Sequence, residues 1–488
     1  NKILFSEHHI SHAASAFYPS PFNEAAILTL DGVGEWATST IGLGDSLNNI
    51  SIDKEIHFPH SLGLLYSAFT FYTGFKVNSG EYKLMGLAPY GTPRYVEKIL
   101  DNLLDIKSDG SFRLNQRYFD YCTGLKMVNY RFEKLFGHPP RKEGAPITKF
   151  YMDIAASIQK VLEYTVLKIC RDIKKVTKKK YLCMAGGVAL NCVINGKIIK
   201  EGIFDDIWIQ PAAGDAGGAI GSALFSYHKM TRKPRKVVKI KDDHMKGSLL
   251  GPSYNSNEIK KYLKDAGAIT KNCSMQTIIK LATKGLAEQK IIGWFQGKME
   301  FGPRALGNRS ILADPRSTKM QKNLNLSIKF RESFRPFAPS ILEEKTKEWF
   351  ELDIKSPYML LVCDLHKSKL IKLKKKSQKF QKLLAEKRSS VPAITHVDNS
   401  ARIQTVNKKA NPLYYSLLNS FYRMTKCPIL INTSFNIRSE PIVCSPKDAF
   451  RCFMGTNMDI LIVGSFIMYK EEQNQSLLND YKDSFELD

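Results

Sequence analysis

The chain has 488 residues, room for about three domain-sized units. With 43% hydrophobic and 24% charged residues, it has ordinary globular composition. That excludes a largely disordered, collagen-like or disulfide-scaffold chain, and no apolar run approaches the length of a membrane span. The net charge of +25 either solvates the surface, as in the lysine run at Lys174, Lys175, Lys178, Lys179 and Lys180, or favours phosphate-bearing partners.

In chain order, residues 7–17 (EHHISHAASAF) are small and helix-compatible. Residues 25–30 (AAILTL) read as a buried strand stopping at an Asp31-Gly32 turn. Residues 61–75 look helical. The segment 79–91 (SGEYKLMGLAPYG), rich in glycine and proline, reads as a loop, and 147–175 has long helical periodicity. A strand over 181–184, a turn at 185–187 and a helix opening at Val188 follow. A second such passage has a strand at 207–210, a loop over 211–218 and a helix to about Tyr227. Strand–turn–helix units of this kind predict an α/β fold with ligands at the strands' carboxyl ends.

Residues 230–250 are basic, interrupted by Pro234, and read as a linker. A second unit follows, with a helix from about Asn257, a strand at 290–294, a loop over 300–316, strands at 427–433 and 459–464, and a polar tail from about Glu471. Residues 366–388 are a lysine-rich insertion, and there is no internal repeat. The nine cysteines are scattered, without a CxxC, and are expected to be free, mostly buried thiols of a reducing compartment. The N-terminus lacks an apolar signal region and an initiator methionine, and starts as though inside a fold.

Four constellations carry chemistry. On a helix, His8 and His12 are four residues apart and project from one face. With Asp31 and Asp215, each following a strand, they make a two-histidine, two-carboxylate set suited to iron, manganese or zinc. The glutamate of HExxH is absent, and a lone HxxxH is often incidental. Gly186-Gly187-Val-Ala-Leu-Asn191 and Gly214-Asp215-Ala-Gly217-Gly218 either cradle phosphate with backbone N–H groups or allow close strand–helix packing. Arginine is dense at Arg304, Arg309, Arg316, Arg331 and Arg335, and the nearby acids (Glu300, Asp314, Glu332) are fewer. That favours an anion site over structural ion pairs. Ser434 and Asn436, with the string from Thr395 through Arg402 to Gln404, are polar clusters at strand ends, which also read as turn chemistry.

Together these strings resemble the O-carbamoyltransferase family that includes the tobramycin, cephalosporin and nodulation carbamoyltransferases. The strings are EHHISHAASAFYPSPF, LTLDGVGEW, SGEYKLMGLAPYG, MAGGVALNC, PAAGDAGGAIGSAL, GWFQGKMEFGPRALGNRSILADPR, KFRESFRPFAPS, ITHVDNSARIQTV and ILINTSFNIRSEPIVCSPKDA, in one order from residue 7 to about 449. The resemblance implies an α/β chain in which residues 1–229 form a partial actin/sugar-kinase-like transfer domain. Residues 230–250 would be the linker, and 251–488 a carbamoyl-adenylate-forming domain akin to threonylcarbamoyl-adenylate synthases.

It further implies an ATP-dependent enzyme that makes carbamoyl-adenylate from carbamoyl phosphate and then carbamoylates a hydroxyl of a sugar or secondary metabolite. The metal, Fe2+ first and Zn2+ or Mn2+ otherwise, would sit on His8, His12, Asp31 and Asp215, with Mg2+ accompanying ATP. Lys329, Arg335, Arg402 and Arg304 would serve the phosphates. Ser434 and Asn436 would hold the adenylate, and Gly186, Gly187, Asn191, Gly217 and Gly218 the nucleotide. His9 is the candidate general base, its alternative being a helix-surface histidine. The resemblance also implies a further N-terminal segment, and as partner either a second copy or another chain supplying that segment. A cytoplasmic location is expected, with no membrane and no nucleic-acid partner. The competing readings are carbamoylation-type modification of tRNA, and a chain able only to form the adenylate. The family reads glycine and threonine where this chain has Asn399 and Ser400.

Overall fold

The computed structural model describes residues 3–478 apart from 234, 236–242, 332–333, 373–382 and 384–385, together with 485. Most of the lysine-rich insertion, much of the linker, Glu332 and the end of the polar tail lie outside the described residues. The chain divides into two compact α/β units, residues 1–245 and 246–488. Among the described residues no helix is long and apolar enough to cross a membrane. None of the nine cysteines is in a disulfide, and six are buried.

In the first unit, α1 (His8–Phe17) is followed by β1 (Ala25–Gly34), β2 (Ala37–Gly44) and β3 (Ile50–His57). Then come α2 (Leu62–Tyr72), α3 (Glu81–Leu87), α4 (Val96–Asn102), the short pair β4 (Leu104–Ile106) and β5 (Phe112–Leu114), and α5 (Tyr130–Phe136). The long α6 (Lys149–Thr177), β6 (Tyr181–Ala185), α7 (Cys192–Lys200), β7 (Asp206–Ile209) and α8 (Asp215–Thr231) complete it. The sheet order is β3-β2-β1-β6-β7, antiparallel across β1–β3 and parallel from β1 through β6 to β7.

Three expectations are corrected here. The strand at residue 25 does not stop at Asp31-Gly32. A register shift between Leu30 and Gly34 absorbs that pair, and the chain turns at Glu35, whose φ is 60°; a bulge accommodates what residue type alone reads as a turn. The loop over 79–91 is instead α3 plus a 3-10 turn at Ala88–Tyr90. Gly80 stands at its N-cap and Glu81 in its first turn, where a carboxylate favours the helix dipole, and Leu84 and Leu87 bury one face. The glycines after residue 214 lie inside α8, not ahead of it. A Cβ at Gly217 would stand 2.1 Å from the Ala212 carbonyl oxygen, so that glycine provides clearance.

In the second unit, α9 (Ser256–Asp265) opens with a capping box between Asn255 and Glu258. It is followed by β8 (Lys271–Asn272), α10 (Met275–Ala287), β9 (Ile292–Phe295), β10 (Arg309–Ala313) and β11 (Ala338–Leu342). β12 (Leu361–Asp364), β13 (Ser400–Val406), β14 (Ile429–Ser434), β15 (Ile460–Val463) and β16 (Phe466–Tyr469) complete a nine-stranded sheet ordered β12-β13-β11-β14-β10-β9-β15-β16-β8. β10 falls inside the segment expected to be a loop. Its run Ser310-Ile-Leu-Ala313 is buried between β9 and β14, and the surrounding arginine, glycine and proline hide that strand from a periodicity reading.

Topology gathers one end of this sheet. β14 runs antiparallel to both β10 and β11, with Ser310 opposite Ser434 and Ala338 opposite Asn432, while β13 is parallel to β11. The carboxyl end of β14 is therefore flanked by the amino ends of β10, β11 and β13. The described residues leading into those strands, 300–308, 329–331 with 334–337, and 395–399, arrive at the same end.

Candidate functional site

The first constellation assembles as spacing predicts. α1 places His8 and His12 one turn apart, and their Nε2 atoms stand 2.9 Å from each other. His8 Nε2 is 3.1 Å and His12 Nε2 3.4 Å from Asp31 Oδ2, and they are 3.5 and 3.6 Å from Asp215 Oδ1. One ligand atom from each of the four lies within 4.8 Å of the others. Gly34 passes so close to His8 that a Cβ there would fall 2.1 Å from the ring. The Gly187 N–H donates to Asp31 Oδ1 at 2.9 Å. Burial pushes the Asp31 carboxyl up, but the bonds from His12, His8 and Gly187 outweigh it and hold the group well below the usual carboxylate range. His8 is raised, first by its bond to Asp31.

Two buried or half-buried imidazoles and two carboxylates, with all donor atoms facing one point, form a donor set that fits a first-row divalent ion. The set is lopsided: His12 and Asp31 are buried, whereas the Asp215 side chain is 79% exposed.

His9 is not a surface residue. It is buried, and its Nδ1 lies 2.6 Å from Thr29 Oγ1, which contacts Thr40 Oγ1 at 2.6 Å. Burial lowers its pKa to about 4 and keeps the ring neutral, so it is a core histidine.

The glycine strings divide between the two readings. Gly186, at φ 93°, has no room for a Cβ against the Leu30 carbonyl oxygen, 2.1 Å away, which is close packing. Gly187 serves Asp31, and Gly218 faces open space. Asn191 caps α7 through Ile194 N–H (3.3 Å) and pairs with Gln159 (3.0 Å).

At the gathered end of the second sheet, Lys329 is buried. Its Nζ donates to the Ser434 carbonyl, to the Asn436 carbonyl (2.9 Å) and to Asn436 Oδ1 (2.8 Å), and lies 3.3 Å from Ser434 Oγ. Burial, then the nearby charge of Arg331 with a smaller share from Arg335, push this ammonium well below the ordinary lysine range. Gln321 and Asn325 donate to the Arg335 carbonyl at 3.2 and 3.1 Å, fixing the backbone there.

A buried polar network sets the rest of this end. Asn432 Nδ2 donates to Gln404 Oε1 (2.9 Å), Ser340 Oγ (3.1 Å) and the Ala305 carbonyl (3.1 Å), and Gln404 Nε2 donates to the Leu306 carbonyl (2.8 Å). Side chains two residues apart on a strand share a face, so Arg402 joins Gln404, and Ser434 joins Asn432, on the face that carries the 304–306 loop. Lys329, Ser434 and Asn436 thus touch. Arg335 is close enough to act on Lys329 electrostatically. Arg402 and the loop bearing Arg304 lie on that sheet face.

Two of the dense arginines have other work. Arg309 is fully buried, donating to the carbonyls of Gln296 (2.7 Å), Asn308 (3.0 Å) and Pro252 (3.1 Å) and lying 3.5 Å over the Phe295 ring; burial lowers its pKa to about 10. Arg316 forks onto Asp314. Glu300 pairs with the N–H groups of Leu306 (2.7 Å) and Asn308 (2.9 Å). Counting acids against arginines therefore misjudged these residues, because backbone carbonyls and amides are the partners. Ser340 escaped notice, and Gln404, read only as part of a polar strand-end cluster, is with Asn432 an organiser; the signal available was a polar residue alternating with apolar ones in a buried strand.

A histidine–carboxylate cluster in the first unit and a lysine–arginine sheet end in the second are the candidate sites of this α/β chain. A family model described as the carbamoyltransferase N-terminus matches residues 1–224, and one described as the carbamoyltransferase C-terminus matches residues 283–470. An uncharacterized protein of Synechocystis sp. is 56% identical over 491 residues, covering 100% of this chain and 79% of that protein. The nodulation protein NolO of Bradyrhizobium diazoefficiens is 37% identical over 471 residues, covering 95% and 78%. NolNO of Sinorhizobium fredii is 37% identical over 478 residues, covering 96% and 64%. The chain belongs to the carbamoyltransferase family of enzymes.

Proposed function

We propose that residues 246–488 activate the carbamoyl group with ATP and that residues 1–245 deliver it to a hydroxyl of a small-molecule acceptor, a sugar or secondary metabolite. The observation that carries this reading is the buried Lys329, held by Ser434 and Asn436 at a sheet end that also gathers Arg304, Arg335 and Arg402. Such a concentration of donors suits carbamoyl phosphate and the phosphates of ATP. For the atoms to balance, water releases phosphate from carbamoyl phosphate. The resulting carbamate oxygen attacks the α-phosphorus of ATP, and pyrophosphate leaves.

Lys329 and the arginines neutralise the phosphate oxygens. Ser434 and Asn436 hold carbamoyl or adenylate oxygens without adding charge. In the first unit, His8, His12, Asp31 and Asp215 would hold a divalent ion, Fe2+ in the first instance, and that ion would supply Lewis-acid polarisation. His12 and His8, with a smaller share from Gly187, keep Asp31 ionised, and the Gly187 N–H orients it. The open backbone at Gly218 leaves room for the nucleotide, and the acceptor hydroxyl displaces AMP as its proton passes to solvent.

The antiparallel β1–β3 meander continued by parallel β6 and β7 supports kinship of the first unit with actin-like sugar kinases. The mixed sheet and its lysine–arginine end support kinship of the second with threonylcarbamoyl-adenylate synthases. Free, mostly buried thiols support a cytoplasmic location. The test is exchange of labelled pyrophosphate into ATP. Exchange that requires carbamoyl phosphate is expected, and its absence in a folded chain supplied with Mg2+ overturns the reading.

A further inference from the structure

Asp215 differs from the other three cluster residues in how it is held. Asp31 is gripped by the Gly187 amide and by His8, and the two histidines share α1. Asp215 is the first residue of α8, its side chain is largely exposed, and its place depends on where α8 lies against α1.

That contact is unusually tight. A Cβ built on Gly221 would stand 1.8 Å from the Ser11 carbonyl oxygen and 2.8 Å from the Ser15 amide nitrogen, so the two helices meet backbone to backbone. Beside it, Ser6 Oγ donates to Ser222 Oγ at 2.8 Å and lies 2.8 Å from Ser11 Oγ, and Gln210 Nε2 donates to the Ser15 carbonyl. Ser11 and His12 are adjacent on α1, so the contact lies within a turn of the ligands.

We propose that Gly221 is a positioning residue for the cluster: the close approach it permits brings the Asp215 carboxylate to His8 and His12. This rests on the metal reading above. Restoring an ordinary contact of 3.4 Å for a methyl that would stand 1.8 Å from the Ser11 carbonyl oxygen requires the helices to part by about 1.6 Å. Metal–ligand distances tolerate about 0.2 Å, so Asp215 would drop out while His8, His12 and Asp31 stay. Even one added methyl group is then too large.

The test is titration of the full-length chain with Co2+, followed by its visible absorption and by competition with a chromophoric chelator. Gly221→Ala should bind about 10–100-fold more weakly than wild type, the range for a residue supporting a ligand, with a changed visible spectrum. Because Gly221 acts through Asp215, the double variant Gly221→Ala/Asp215→Asn should bind no more weakly than Asp215→Asn alone.

Wild-type affinity and spectrum in Gly221→Ala, or losses that add in the double variant, overturn the proposal. If Gly221→Ala does not fold, Ser222→Val, which crowds the same crossing, should weaken Co2+ several-fold, and unchanged affinity there overturns it equally. A wild-type chain that binds no Co2+ removes the metal reading itself and the inference with it, a result distinct from a wild type that binds and a Gly221→Ala that binds alike.

Discussion

The histidine–aspartate cluster and the lysine–arginine sheet end are built by opposite means. In the first, three of four side chains come from residues 8–31, and a single helical turn supplies the facing imidazoles. In the second, residues from 304 to 436 meet only because β10, β11, β13 and β14 lie side by side with their relevant ends together. The first depends on local geometry and on one helix crossing. The second depends on sheet topology and on a buried network, Ser340–Gln404–Asn432. A local cluster is exposed to small shifts of one element; a topological one is insulated from them but concentrates the cost of burying charge.

The largest effect expected from this contrast is at Lys329. Lys329→Met should lower carbamoyl-phosphate-dependent pyrophosphate exchange by about 100–1000-fold, the cost of one preorganised donor at a developing charge, while His12→Ala leaves exchange running and stops transfer. Normal exchange in Lys329→Met would remove the division of labour between the units.

Next is Asp31→Asn, which takes away a ligand and should weaken Co2+ by more than the about 10–100-fold of a supporting residue; isothermal titration reads it. Smaller, and different in kind, is the contrast between two arginines. Arg309→Met leaves buried carbonyls without donors and should cost about 2–4 kcal/mol in urea denaturation with little change in KM. Arg335→Lys, a point charge in place of a fork, should raise the KM for carbamoyl phosphate with stability nearly intact.

The subtlest expectation concerns protons. Lys329 is held below the ordinary lysine value by burial and neighbouring charge, so between that lowered pKa and the ordinary one this lysine is neutral in the free protein. A bound phosphate raises the pKa, and binding in that window takes up a proton. Calorimetry in buffers of differing ionisation heat should show uptake; release or no exchange would mean that the lysine is already charged.

Much of the histidine–aspartate cluster was legible in the sequence because a four-residue spacing on a helix and an acid near a strand's end are local statements. Asp215 was legible as an acid after a strand, but its role as the first residue of α8 was not. Glycine run together reads as a turn, whereas here it clears the way for Ala212 and Ser11. The same bias hid α3 behind Gly80 and Pro89. At the second site the residue types were legible and the division among them was not. Arg309 and Arg335 look alike in sequence, and only the fold assigns one to backbone carbonyls and places the other beside Lys329. Strand β10 was lost for a related reason, since a buried arginine opens it.

The uneven exposure of the cluster gives it a front and a back. His12 and Asp31 lie at the back, His8 is partly exposed, and Asp215 stands at the front. If these four residues hold a divalent ion, a chelator would meet it at Asp215, the most exposed of them, before the buried His12 and Asp31.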